Sequence, residues 1–94
     1  MLDISVGTNG EILLSGRFDA AEAEKARQVF LNLDGPKVVD FSRLDYISSA
    51  GLGVLLAAQK KRSEDGSGLK LVNMNGHIRD VFRFSGFDQI FEIA

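Results

Sequence analysis

Asp40-Phe41-Ser42-Arg43-Leu44-Asp45-Tyr46-Ile47-Ser48-Ser49-Ala50-Gly51-Leu52-Gly53-Val54-Leu55-Leu56 is the stretch on which the fold turns. It continues a β-branched run, Lys37-Val38-Val39-Asp40-Phe41, that reads as a short strand. Residues 42–45 read as a polar excursion before Tyr46-Ile47. From Ser48 the pattern becomes helical and runs to about Arg62. Two serines stand at the handover from strand to helix, where a side-chain oxygen can accept an orphan amide of the first turn.

Working outward, residues 2–6 alternate apolar and polar, Gly7-Thr8-Asn9-Gly10 is a turn cluster, and residues 11–15 follow as a second strand, giving a hairpin. Gly16-Arg17-Phe18-Asp19 is expected to break that strand, and Asp19 to cap a helix over residues 20–31 with its carboxylate. Ala23, Ala26, Val29, Phe30 and Leu33 form one apolar stripe at three- and four-residue spacing, and Asp34-Gly35-Pro36 ends the helix. Beyond the quoted stretch, a polar run from Ser63 to Gly68 precedes a strand at 69–72. Asn75 is expected to cap a helix over 76–84, with Ile78, Val81 and Phe82 facing inward and Ser85-Gly86 as its stop. Residues 89–93 close the chain as a strand-like segment. This order predicts an α/β fold, a mixed sheet carrying docked helices.

The 94 residues suit one small domain, spanning 1–94, and 45% hydrophobic with 26% charged residues is an ordinary globular balance. Eleven Lys and Arg against thirteen Asp and Glu give a net charge of −2, so no strong basic field draws nucleic acid or anionic lipid. With no cysteine there is no disulfide, zinc–thiolate or thiol chemistry. The longest apolar stretch, residues 50–58, falls far short of the roughly 20 residues that cross a bilayer, so direct membrane insertion is not expected. An acid stands near the N-terminus where a signal peptide carries bases, which predicts a cytoplasmic chain.

Catalytic inventory is thin. His77 is the single histidine and has no cysteine or second histidine with which to hold a metal. Ser49, His77 and Asp45 can be written as a triad, but Ser-Ala-Gly-Leu-Gly is not the G-x-S-x-G turn of a serine hydrolase. The glycines form neither a phosphate-binding loop nor a dinucleotide fingerprint. Lys60-Lys61-Arg62 complements the negative end of its helix. Enzyme activity, a catalytic residue, a metal and a cofactor are therefore not expected. What the serine pair does offer is a place for a phosphoryl group, adding about −1.5 to −2 charges beside the positive end of a helix, where the fold would survive it.

On these residues the chain closely resembles the STAS family, the anti-sigma-factor antagonists of bacteria. The Gly16-Arg17-Phe18-Asp19 loop, the signature from Asp40 to Leu52 and the late Val81-Phe82-Arg83-Phe84-Ser85-Gly86-Phe87 segment carry the likeness. It implies the STAS fold, a mixed sheet of four to five strands with helices mainly on one face. The family pattern of acid, phosphorylated serine, second hydroxyl residue, Gly and Leu lays Ser49 on the phosphorylated position. Ser48 takes the place of the acid and Ala50 that of the second hydroxyl residue; Gly51 and Leu52 match. Asp19 corresponds to the acidic loop residue near the switch serine. The partner surface implied comprises Phe18, Asp19, Tyr46, Ser48, Ala50, Gly51, Leu52 and Gly53. The partners implied are an anti-sigma serine kinase, bound when Ser49 is unmodified and released by its phosphorylation, and a serine phosphatase that resets it. A constitutive STAS subunit of an ABC transporter, without the switch, is the alternative that the same resemblance allows.

Overall fold

The computed structural model describes residues 1–32, 37–63 and 68–94. Five strands form one sheet in the order β1(Leu2–Val6), β2(Ile12–Phe18), β3(Lys37–Ile47), β4(Leu69–Val72) and β5(Glu92–Ile93). β1 pairs antiparallel with β2, and every later pairing is parallel. Each parallel step is bridged by a helix: α1(Ala23–Leu31), α2(Ser49–Ser63) and α3(Gly76–Ser85). The architecture is the α/β arrangement expected from the sequence, a mixed sheet carrying docked helices. Burial alternates along the strands, with Ile12, Leu14 and Phe18 on β2 and Leu69 and Leu71 on β4 turned to the core. The opposite sheet face, carrying Ser42 and Lys70, is exposed, so the helices cover one face.

The core joins these strand residues to Ala26 and Phe30 of α1, Leu52, Val54, Leu55 and Ala58 of α2, and Ile78 and Phe82 of α3. Phe82 lies edge-on to Phe41 and Phe91 at 5.9 and 5.8 Å between ring centroids, which fastens α3 to the sheet and to the chain's end. Gln59 of α2 accepts the Leu69 N–H at 2.8 Å and donates to the Ile90 carbonyl, a second tie across the same region. Asn75 caps α3 as expected, accepting the Ile78 N–H at 2.8 Å, and Gly86 ends the helix at φ 80°.

Three expectations are corrected. The second strand does not break at Gly16: it continues to Phe18 because Gly16, Arg17 and Phe18 pair in parallel with Leu44, Tyr46 and Ile47. Residues 42–45 are not an excursion but part of the continuous β3. Two register shifts, between Leu13 and Ser15 and between Gly16 and Arg17, each lodge an extra β3 residue opposite β2. The inward residues of β3 are therefore Val39, Phe41, Leu44 and Ile47, a spacing that steps out of the strand period twice. The third correction is Asp19. It precedes a 3₁₀ turn, Ala20–Glu22, rather than an α-helix, and its carboxylate makes no capping hydrogen bond. The Glu22 N–H goes instead to the Asp19 main-chain carbonyl at 3.1 Å. The helix stop at 34–36, Leu33 of the apolar stripe and the polar residues 64–67 lie outside the described residues.

The first β3 irregularity has a local cause. Asp40 Oδ1 accepts the Ser42 N–H at 2.8 Å, and Oδ2 accepts the Asn73 amide at 3.0 Å from the far end of β4. Partial burial pushes the Asp40 carboxyl up, but the Ser42 amide and hydroxyl, the Asn73 amide and the Arg43 charge outweigh it and hold the group below its ordinary 3.8. A carboxyl depressed in the folded state lends stability above its unfolded value and loses it as the pH falls through the folded value. Below about pH 4, wild type should therefore lose stability more steeply than Asp40→Asn in urea titrations, and parallel slopes would remove Asp40 from the acid response. Gly16 is the strained point of the hairpin: φ is +94°, and a Cβ there would lie 2.2 Å from the Met1 carbonyl oxygen. Gly16→Ala should cost about 1–3 kcal/mol in chemical denaturation.

Candidate functional site

Handover from β3 to α2 sits at the end of the sheet where β2 also terminates. Phe18 and Ile47 are register partners, and the next residue, Ser48, donates its N–H to the Phe18 carbonyl at 2.9 Å. The strand ends thereby deliver Asp19 and Ser48 side by side. Ser48 Oγ accepts the Gly51 N–H at 3.2 Å, and its carbonyl accepts the Leu52 N–H at 3.0 Å, so Ser48 is the cap of α2. Ser49 is the first helical residue and exposed, and its hydroxyl makes no hydrogen bond with a described residue. The sequence left the two serines' roles open; here one is structural and the other is free.

Gly51 holds the turn in place. A Cβ on it would lie 2.9 Å from both the Phe18 carbonyl oxygen and the Ile47 side chain, so only glycine lets the helix approach this closely. Gly53 is different: nothing lies near its missing side chain, and it is exposed. Beside the serines, the Arg17 guanidinium stacks on the Tyr46 ring at 4.3 Å from the centroid. This pairing had no signal in the sequence, because it needs the register shift that sets Arg17 opposite Tyr46.

The expected partner surface separates into two layers. Ser49 and Gly53 are exposed, and Asp19, Tyr46, Ser48 and Ala50 are half-buried. Phe18, Gly51 and Leu52 are corrected from surface to support: they are buried against the sheet, where their packing fixes the positions of the others. Asp19 Oδ1 is shielded from solvent and finds no hydrogen-bond donor among the described residues. No three His, Asp or Glu side chains among the described residues gather in a way that could hold a metal. A shallow groove of about 360 Å³ lies apart from the serines, on the open sheet face between Ser5, Ser15, Ser42 and Arg43.

Residues 4–92 match the family described as Mlab, STAS domain. The chain belongs to the STAS family. Over 83 residues it is 41% identical to BtrV of Bordetella bronchiseptica, a protein named for an anti-sigma factor antagonist, covering 88% of this chain and 71% of that one. A STAS-domain protein of Pseudomonas aeruginosa is 28% identical over 86 residues, covering 88% of this chain and 85% of that protein. Among solved structures, SpoIIAA in its unphosphorylated form superposes on the whole chain with a TM-score of 0.73 at 18% identity, covering 87% of SpoIIAA. A Thermotoga maritima protein described as an anti-sigma factor antagonist gives 0.80 at 24% identity, covering 99% of this chain and 85% of that one. These two likenesses carry the fold. STAS proteins of this kind are regulatory binding proteins, not enzymes.

The two serines of this STAS domain should behave oppositely on truncation. Ser48→Ala should lose about 1 kcal/mol of stability with the cap, whereas Ser49→Ala should stay within about 0.5 kcal/mol of wild type by urea denaturation. Equal losses at both positions would show that the cap is shared.

Proposed function

We propose that this chain is a cytoplasmic anti-sigma-factor antagonist that binds an anti-sigma serine kinase and is released when that kinase phosphorylates Ser49. The carrying observation is the division of labour at the start of α2: Ser48 serves as the cap, and Ser49 is exposed with its hydroxyl unengaged among the described residues. A phosphoryl group on Ser49 adds about −1.5 to −2 charges at the positive end of the helix, so the domain keeps its fold while its docking surface changes sign. A loss of about 3–4 kcal/mol on modification is several hundred-fold in affinity and is enough to exchange partners. A serine phosphatase would restore the binding form. BtrV's name supports the antagonist role, and SpoIIAA, which shares the fold, is known in both unphosphorylated and phosphorylated forms.

One observation favours a second reading. The acid that precedes the serine in the family pattern is replaced by Ser48, whose capping role explains that serine without any switch. A constitutive STAS subunit bound to a transporter ATPase would fit that arrangement.

Affinity capture with wild type and Ser49→Glu separates the two. Wild type should retain a kinase-fold ATPase that Ser49→Glu loses, while the thermal midpoint of the variant stays within about 4 °C of wild type, as expected for a surface charge at a helix N-terminus. Retention of a transporter ATPase by both proteins would establish the constitutive reading instead.

A further inference from the structure

The chain carries two Asn-Gly pairs, Asn9-Gly10 and Asn75-Gly76, and the fold holds them differently. In such a pair the asparagine carboxamide is open to attack by the next backbone nitrogen, because glycine puts no Cβ in the way. At Asn75 the carboxamide is tied at both ends. Its Oδ1 accepts the Ile78 N–H at 2.8 Å, and its Nδ2 donates to the Leu44 carbonyl at 3.3 Å. The ψ of 169° at Asn75 also keeps the Gly76 nitrogen far out of the plane in which a five-membered ring with the side chain would close.

Nothing comparable holds Asn9. It is exposed in the turn between β1 and β2, and its carboxamide makes no hydrogen bond with a described residue. One turn bond restrains the backbone next to it, from the Gly10 N–H to the Gly7 carbonyl at 3.1 Å. A second, from the Gly7 N–H to the Glu11 carbonyl at 2.8 Å, closes the hairpin outside it. Gly10 has φ +81° and nothing within 4 Å of its missing side chain, so the turn can reshape without a clash. Local opening of an exposed turn costs less than release of a helix cap.

We propose that Asn9 is a site of spontaneous deamidation in the folded protein, and that Asn75 is protected from it. The Gly10 backbone nitrogen attacks Asn9 Cγ. A new N–C bond closes a five-membered imide, the Cγ–Nδ2 bond breaks, and ammonia leaves with the proton that the Gly10 nitrogen gave up. Water then opens the imide at either of its carbonyls. Addition at Cγ leaves an ordinary aspartyl residue; addition at the main-chain carbonyl leaves an isoaspartyl residue, with the chain running through the former side chain. Both products add a carboxylate to the hairpin, and the isoaspartyl form also inserts one backbone atom between its two turn bonds. β2 runs from this hairpin to the Ser49 junction, so the change falls at the far end of the sheet from the candidate docking surface and loosens β1 instead.

Timed incubation of the whole chain, folded and in urea, with peptide mass mapping tests the proposal. In the folded protein the peptide holding Asn9 should exchange NH for O about tenfold faster than the peptide holding Asn75, and in urea the two rates should come within about threefold of each other. Asp34-Gly35 and Asp65-Gly66 can pass through the same imide but exchange no NH for O, so mass separates them from Asn9. Asn9→Gln, whose longer side chain cannot close the five-membered ring, should abolish the gain in the hairpin peptide. The Ser5 amide, which pairs with Leu13 on β2, should exchange about threefold faster in the aged fraction than in Asn9→Asp, which has the charge without the extra atom. Equal rates for the two pairs in the folded chain overturn the proposal. So does faster conversion at Asn75, or a hairpin peptide that stays unchanged while the urea sample converts. An aged fraction that exchanges Ser5 no faster than Asn9→Asp overturns the loosening of β1.

Discussion

The close approach of Gly51 to the Phe18 carbonyl and the Ile47 side chain sets the position of everything at the β3–α2 junction. A helix can start only where its first amides find acceptors, and here Ser48 supplies one while its own N–H is anchored on Phe18. Two strand ends and one helix start thereby share a single set of contacts. Leu52 and Leu55 then carry the helix over the sheet and commit its remaining buried residues to the core. With this junction fixed, exposure of Ser49 follows from helix geometry alone.

The sheet beneath solves a different problem. β3 must bury one face and still reach from Asp40 to Ile47 with polar residues along the way, and it does so by admitting two extra residues opposite β2. Each irregularity adds local twist and re-aims the side chains that follow it. The first is stabilised by Asp40, whose two carboxylate oxygens are both engaged and which links β3 to the β4–α3 connection through Asn73. The second brings Arg17 opposite Tyr46. An acidic residue at one shift and a cation stacked on an aromatic ring at the other thus set the aim of the strand that feeds the candidate site.

Much of this could be read from residue patterns. The period of α3, its Asn75 cap and its Gly86 stop are local signals, and the structure keeps all three. The hairpin turn and the two serines at the handover are local too. What eluded the sequence depends on tertiary pairing. Gly16 reads as a strand breaker, yet three register partners on β3 carry the strand past it. Residues 42–45 look like a loop because bulges erase the alternation that marks a strand. Asp19 has the side chain of a cap and the position of one, but the 3₁₀ turn that follows uses its main-chain carbonyl. At the site, the helix start at the two serines was legible, whereas the burial of Phe18, Gly51 and Leu52 required the packed helix.

Tyr46, the one tyrosine of a chain that has no tryptophan, lies two residues before the Ser48 cap with the Arg17 guanidinium over its ring. Excited within the tyrosine band, at wavelengths beyond the phenylalanine absorption, the protein therefore has a single intrinsic chromophore, and it is built into the candidate docking surface. Its emission, and its dichroism beyond the phenylalanine bands, report on that surface alone, undiluted by signals from the core. A partner that shifts Arg17, or a new charge on Ser49 that draws the guanidinium away, becomes visible in the unlabelled domain.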